Sequence, residues 1–260
     1  MITDGVPVPS RYPLISLKET EMSNKGIFYG VSIGPGDPEL MTIKSVKCIE
    51  ACDVIATPQT KSGEMLALSI AEQTVDMKDK TIVPLFFEMA RDPEKMLAAH
   101  VKDADAVEKY LAEGKDVAML NLGDASVYGT YCYIMDILQE RGYECRMIAG
   151  VTSFCAISST LGISLTELND PLIIVPGHVA DEVMDMRGVK VIMKSYKELP
   201  KVIEELKARD MLKTSAMICN CGLPDEIVYR DLSEFKPGVD KTGYFCTIIA
   251  KENKADKEYR

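Results

Sequence analysis

The sequence predicts an α/β protein made of two consecutive units, the first a mostly parallel sheet with helices on both faces. Three observations carry this reading. Short runs of apolar β-formers alternate with segments whose apolar residues recur at helical spacing, the order that produces parallel strands joined by crossover helices. A glycine-proline turn, Gly34-Pro35-Gly36-Asp37-Pro38, joins the first strand directly to the first helix. A second series of strands and helices begins near Gly150, in a chain of 260 residues that has length enough for two cores.

The elements follow in order. Residues 1–25 hold three prolines among mixed polar residues with no sustained period, so a flexible extension is expected there, with Met22 as a second candidate start. Ile27-Phe28-Tyr29-Gly30-Val31-Ser32-Ile33 reads as a buried strand. Gly34 and Gly36 let the backbone turn sharply, Asp37 suits an N-cap and Pro38 the first helical position. Leu40, Ile43, Val46 and Ile49 then share near-helical spacing and predict a helix over 38–51. Further strands are expected at 53–56, 81–85, 116–121 and 145–148, and helices at 63–74, 94–113 and 126–141. Leu97, Val101, Ala104, Val107 and Leu111 form one helical stripe, Tyr131, Ile134, Met135 and Leu138 another, and Gly114 and Gly142 stop these helices. The second unit is expected to have strands at 172–175, 189–193, 215–219 and 243–250 and helices at 153–161 and 197–209, the latter with Pro200 in its first turn. The last strand is dense enough in β-formers to be central, and the charged residues 251–260 read as a solvated tail. The predicted organisation is therefore 1–25, 26–149, 150–250 and 251–260.

Composition removes several function classes. No apolar run approaches the roughly 20 residues that cross a bilayer, and the first 25 residues lack the order of a signal peptide, so a cytoplasmic protein without a membrane partner is expected. A net charge of −10, from 30 Lys and Arg against 40 Asp and Glu, disfavours nucleic acid, although a few local cations still allow a small anionic substrate. The eight cysteines are scattered through apolar stretches and read as reduced, buried thiols. Cys219-Asn220-Cys221 lacks the second pair or nearby histidine that a zinc site needs, so no metal site is predicted.

Small, polar and backbone-exposing residues recur at the strand ends: Asn121-Leu122-Gly123-Asp124-Ala125-Ser126-Val127-Tyr128-Gly129-Thr130, Ala149-Gly150-Val151-Thr152-Ser153, Met193-Lys194-Ser195-Tyr196, and Cys219-Asn220-Cys221-Gly222-Leu223-Pro224-Asp225-Glu226. The carboxyl ends of strands in an open α/β sheet are where ligands bind. Each stretch also has a plain reading: Asp124, Ser126, Thr152 or Ser153 as helix caps, Gly222-Leu223-Pro224-Asp225 as a turn, and His178 as a loop residue. The glycine-proline turn lacks the third glycine of a dinucleotide fingerprint, and there is no phosphate-loop Gly-Lys-Ser/Thr. With only His100 and His178 and no nucleophile elbow, a histidine-based triad is disfavoured.

Together these motifs resemble the tetrapyrrole (corrin and porphyrin) methylase family over residues 26–250. The resemblance rests on Gly34-Pro35-Gly36-Asp37-Pro38-Glu39-Leu40-Met41-Thr42, Gly123-Asp124 with Tyr128-Gly129, Gly150-Val151-Thr152-Ser153-Phe154, and Gly222-Leu223-Pro224-Asp225-Glu226. Ala125 and Ala149 stand where the family often has proline. Ala51-Cys52-Asp53-Val54-Ile55-Ala56-Thr57-Pro58, Val191-Ile192-Met193-Lys194 and Tyr244-Phe245 look like the precorrin-2 or cobalt-factor II carbon-20 branch. The resemblance implies two αβα domains with the ligand cleft between them, a homodimer, S-adenosylmethionine as methyl donor and S-adenosylhomocysteine as product. It implies donor binding by Pro35, Gly123, Asp124, Ser126, Tyr128, Thr152, Ser153, Met193, Lys194 and Leu223, with Tyr244 or Thr247 completing the adenine pocket. Asp124 is the candidate catalytic residue, charged near the sulfonium or a ring nitrogen, while Lys44, Lys61, Arg91 and Lys194 are candidate partners of substrate carboxylates. The alternatives are another tetrapyrrole methylase, acting on uroporphyrinogen III or a later precorrin, and a non-catalytic S-adenosylmethionine-binding protein.

Overall fold

The computed structural model describes residues 25–87 and 92–252. The expected extension with Met22, Arg91 and the tail beyond 252 lie outside the described residues.

The first sheet consists of β1 (Phe28–Ser32), β2 (Val54–Pro58), β3 (Thr81–Leu85), β4 (Val117–Asn121) and β5 (Cys145–Ile148), in the order β3-β2-β4-β1-β5. All its pairings are parallel, as the alternation of strand and helix requires. On one face Phe28, Val54, Ala56 and Met119 pack with residues of α3 (Pro93–Ala112) and α4 (Tyr131–Glu140). On the other, Val31, Ile33, Ile55 and Leu120 pack with α1 (Ile43–Ala51) and α2 (Leu66–Ala71). Parallel strands buried on both faces explain the nearly continuous apolar runs in the sequence.

The second sheet contains β6 (Leu172–Pro176), β7 (Val189–Met193), β8 (Ser215–Cys219), β9 (Ile227–Tyr229) and β10 (Cys246–Ala250), in the order β6-β7-β10-β8-β9. It is mixed. Only β6 and β7 run parallel; β10 is antiparallel to β7 and β8, and β9 is antiparallel to β8. No helix separates β8 from β9 or β9 from β10, so no crossover returns the chain to its starting edge. One face packs on α5 (Ser153–Leu161), the other on α6 (Leu199–Ala208) and a short 3-10 segment, Gly177–Val183.

Several boundaries differ from expectation for local reasons. The helix expected over 38–51 is a single 3-10 turn, Pro38–Leu40, capped by Asp37, followed by α1, which Thr42 caps through Ser45 N at 3.1 Å. The helix expected from 126 begins at Tyr131, because Tyr128 adopts a left-handed backbone at φ 53° that no helix can contain. β10 is central but starts at Cys246 rather than 243. The tail is anchored at its start: Glu252 accepts from Gly188 N at 2.8 Å and from the buried Lys190 Nζ at 3.2 Å. Two of the cysteines are not free thiols, since Cys219 and Cys246 face each other across β8 and β10 and form a disulfide. No helix among the described residues is long and apolar enough to cross a membrane.

Candidate functional site

The exits of β1 and β4 are stitched together where the two sheets meet. Gly123 N donates to Gly34 O at 2.7 Å and Gly34 N to Gly123 O at 3.3 Å, so the glycine-proline turn lies against the loop after β4. Asp124, 9% exposed, links that loop to the one after β5. Its Oδ2 accepts from Gly150 N at 2.7 Å, and its Oδ1 accepts from Ser126 N at 2.8 Å and Ser126 Oγ at 2.5 Å. Burial works to raise its pKa, but these hydrogen bonds outweigh it and hold the carboxyl below the usual carboxylate range. Asp124 is thus an ionised group whose two oxygens already have protein partners.

The second sheet reaches this point through backbone contact. A Cβ on Gly36 would lie 2.4 Å from Cys221 O, and one on Gly222 would lie 2.6 Å from Asp37 N. Only glycine fits at both positions, and Gly222 also needs its φ of 77°. Flanking leucines are exchanged: Leu223 packs into the cluster of Val31, Ile33 and Met41, while Leu40 packs with Ala156, Ile157 and Cys221. The segment 220–226 therefore holds two successive turns, closed by Leu223 N to Asn220 O and by Glu226 N to Leu223 O, each at 3.0 Å, and is also a contact between the sheets. A second link runs from Tyr128, whose hydroxyl donates to Ile174 O at 3.2 Å and whose carbonyl accepts from Lys194 Nζ at 3.3 Å. Lys194 is exposed, yet surrounding protein desolvates its ammonium enough to lower its pKa.

Two neighbouring hydroxyls at the start of α5 remain unpaired. Among the described residues, four buried side-chain atoms have no hydrogen-bond partner: Thr57 Oγ1 and Asp103 Oδ2, which are separate in the chain, and the adjacent Thr152 Oγ1 and Ser153 Oγ. Thr152 sits at the N-cap position of α5, but its side chain makes no capping bond. Gly123 borders this helix start, with Ser153 N 3.9 Å from where its Cβ would stand. Buried hydroxyls left unsatisfied carry a desolvation cost that a polar ligand removes. Tyr128, Lys194 and Asn220, all at strand exits, hold positive φ values of 53°, 52° and 55°, the backbone strain that gathers at working sites.

The sequence-predicted residues divide into two groups. Gly123, Asp124, Ser126, Thr152 and Ser153 are brought together, with Pro35 half-buried in the adjoining turn and Tyr128 bonded to Lys194. Met193 ends β7 beside Lys194, and Leu223 serves the contact between sheets. Tyr244 precedes β10, 59% exposed, with its ring 6.3 Å from that of Tyr196 and 5.0 Å from that of Phe245. Thr247 lies inside β10 opposite Ile218 and is buried. The candidate cations scatter: Lys44 lines a cavity of about 250 Å3 together with Lys47, Tyr29, Ile148 and Asp116, the residue before β4, and Lys61 lies in an exposed turn. His178 is exposed on the 3-10 segment after β6. Sequence reasoning passed over Ser32 and Ser45, both fully buried; their signal was a hydroxyl inside an apolar strand and another on the buried side of a helix.

The model of the tetrapyrrole (corrin/porphyrin) methylases matches residues 28–235. The probable cobalt-precorrin-2 C(20)-methyltransferase of Methanocaldococcus jannaschii is 34% identical over 184 residues, 70% of this chain and 77% of its own. The precorrin-2 C(20)-methyltransferase of a Sinorhizobium species is 31% identical over 244 residues, 88% of this chain and 97% of its own. Among solved structures, a cobalt precorrin-4 methyltransferase superposes with a TM-score of 0.67 at 18% identity, over 90% of this chain and 98% of that one. The uroporphyrin-III C-methyltransferase of Thermus thermophilus complexed with S-adenosylhomocysteine gives 0.62 at 19% identity, over 87% and 98%. At such identities the two structures establish the fold.

Proposed function

Because the chain belongs to the tetrapyrrole (corrin/porphyrin) methylase family, we propose that it methylates meso carbon 20 of precorrin-2, or of cobalt-factor II (cobalt-sirohydrochlorin), in cobalamin synthesis. The observation that carries this reading is similarity to two carbon-20 methyltransferases, one of them along nearly its whole length. We read residues 26–149 and 150–250 as the two domains, with the ligand cleft at the strand exits between them.

The donor is S-adenosylmethionine, which supplies a methyl group already activated on a sulfonium, so no strong general base is required. Its fit rests on the unpartnered hydroxyls of Thr152 and Ser153, which offer hydrogen-bond partners to a polar ligand beside the backbone of Gly123. Thr152, Ser153 and the backbone around Gly123 hold it, and Met193, Lys194 and Tyr128 bound the site. The buried, ionised Asp124 fixes the 123–126 and 150–153 loops relative to each other and places negative charge beside a cationic ligand. Alignment and exclusion of water are then the protein's main contributions. Lys194 is the cation best placed to meet a carboxylate of the macrocycle.

We further read the protein as a cytoplasmic homodimer with no nucleic-acid or membrane partner. Incubation with S-adenosylmethionine and precorrin-2 or cobalt-sirohydrochlorin, followed by mass spectrometry, tests the assignment. Gain of one methyl at carbon 20 is the expected result. Methylation of uroporphyrinogen III instead would move the chain to another branch of the family, and donor binding with no transfer would favour a non-catalytic protein.

A further inference from the structure

The exits of β4 and β5 are not neighbours in the sheet, because β1 runs between them and ends beneath both. Something must fix the span across that end. Ser32, the last residue of β1 and fully buried, has its hydroxyl at the crossing point. Its Oγ donates to Ile148 O, the last residue of β5, at 2.6 Å, and accepts from Ala125 N, in the loop after β4, at 2.9 Å. Asp124 spans the same two loops by accepting from Gly150 N at 2.7 Å. The two links close a ring: Ser32 Oγ to Ala125, along the chain to Asp124, across to Gly150, and back along the chain to Ile148. Gly150 seats directly on Ser32, since a Cβ there would come within 2.3 Å of Ser32 Cβ.

We infer that Ser32 is a positioning residue for the methyl-donor site, setting the distance between Gly123 and the hydroxyls of Thr152 and Ser153. This rests on the donor reading given above. Without the hydroxyl, Ala125 N and Ile148 O lose their buried partner, and the ring is held by Asp124 alone. One hydroxyl both donating and accepting sets two distances at once. Ser45 provides the contrast. Its Oγ donates to the carbonyl of the same residue, Ser32 O, at 2.6 Å, but this bond ties β1 to α1 and lies outside the ring.

The test compares Ser32→Ala with Ser45→Ala, using calorimetric affinity for S-adenosylhomocysteine, KM for each substrate and the thermal midpoint. Ser32→Ala is expected to weaken S-adenosylhomocysteine by about tenfold while the macrocycle KM stays within about twofold. Ser45→Ala is expected to lower the thermal midpoint but to leave donor affinity within about twofold. Ser32→Cys, which keeps the bulk and weakens both hydrogen bonds, should give a smaller loss in the same direction, and it stands in if the alanine variant does not fold. Unchanged donor affinity in both Ser32 variants overturns the assignment. So does an equal loss in Ser45→Ala, which would make the effect one of general stability. Wild-type protein that binds no S-adenosylhomocysteine overturns the donor reading itself, and that outcome is seen before any variant is made.

Discussion

The buried polar groups at the exits of β1 and β4 and those at the start of α5 lie close together but are in opposite states. At the exits of β1 and β4 the two buried polar side chains of the ring have protein partners: Ser32 bonds to Ile148 and Ala125, and Asp124 to Gly150 and Ser126. At the start of α5, Thr152 Oγ1 and Ser153 Oγ are equally buried and have none. The paired set contributes to stability in the absence of ligand, whereas the unpaired set is a cost that ligand removes. On the proposed reading one side of the site is framework and the other receives, and substitutions should reveal that division.

The largest effect is expected at Asp124, where the framework is concentrated. Asp124→Ala removes the partner of the half-buried Gly150 N and should lower kcat/KM by about 100-fold, on the order of 2–3 kcal/mol. Unchanged turnover in a folded variant would reduce the residue to a local cap. Gly36→Ala comes next: its methyl would have to displace Cys221 O, and kinetics should show about a tenfold loss of activity together with a lower thermal midpoint. Thr152→Val then probes the receiving side directly. It keeps the shape and removes the orphaned hydroxyl, so the ligand-free protein should be as stable or about 1 kcal/mol more stable while donor affinity falls about fivefold. A stability loss in Thr152→Val like that of a framework variant would erase the contrast.

The smallest effect is a pH dependence of stability. The folded pKa of Asp124 is depressed, so its contribution is fully present above the ordinary carboxylate pKa near ~4 and is lost as pH falls through the depressed folded value. Denaturant titrations of wild type and Asp124→Asn should therefore differ most above about pH 4 and converge at lower pH. A constant difference across that range would mean that the carboxylate charge is not the operative property.

Much of the first sheet was legible because parallel strands buried on both faces leave continuous apolar runs, and crossover helices leave their own period between them. The second sheet was less so. β9, three residues long with partly exposed side chains, carries no periodic signal, and the direction of β10 depends on connections rather than on its own residues. The proposed site stretches at 123–128 and 150–153 stand out in the sequence because polar and glycine residues interrupt apolar patterns at strand exits. Ser32 and Ser45 escaped notice because a serine within an apolar run reads as neutral until its partners, 116 and 13 residues away, are known. Lys44 shows the converse, since nearness in sequence to a site loop says nothing about which face of a helix a residue takes.

The exchange of Leu40 and Leu223 has a consequence for the chain as a physical object. Each half completes the other's core, so a chain cut between 149 and 150 should give fragments that are each short of one leucine and show a greasy patch in its place. Such fragments should be poorly soluble alone and recover when co-expressed, which would make the halves a natural complementation pair. The same trade implies that the cleft cannot gape widely without baring both cores. Ligand exchange is then limited to small rocking about the Gly36 and Gly222 contact, and the two halves should melt in a single transition.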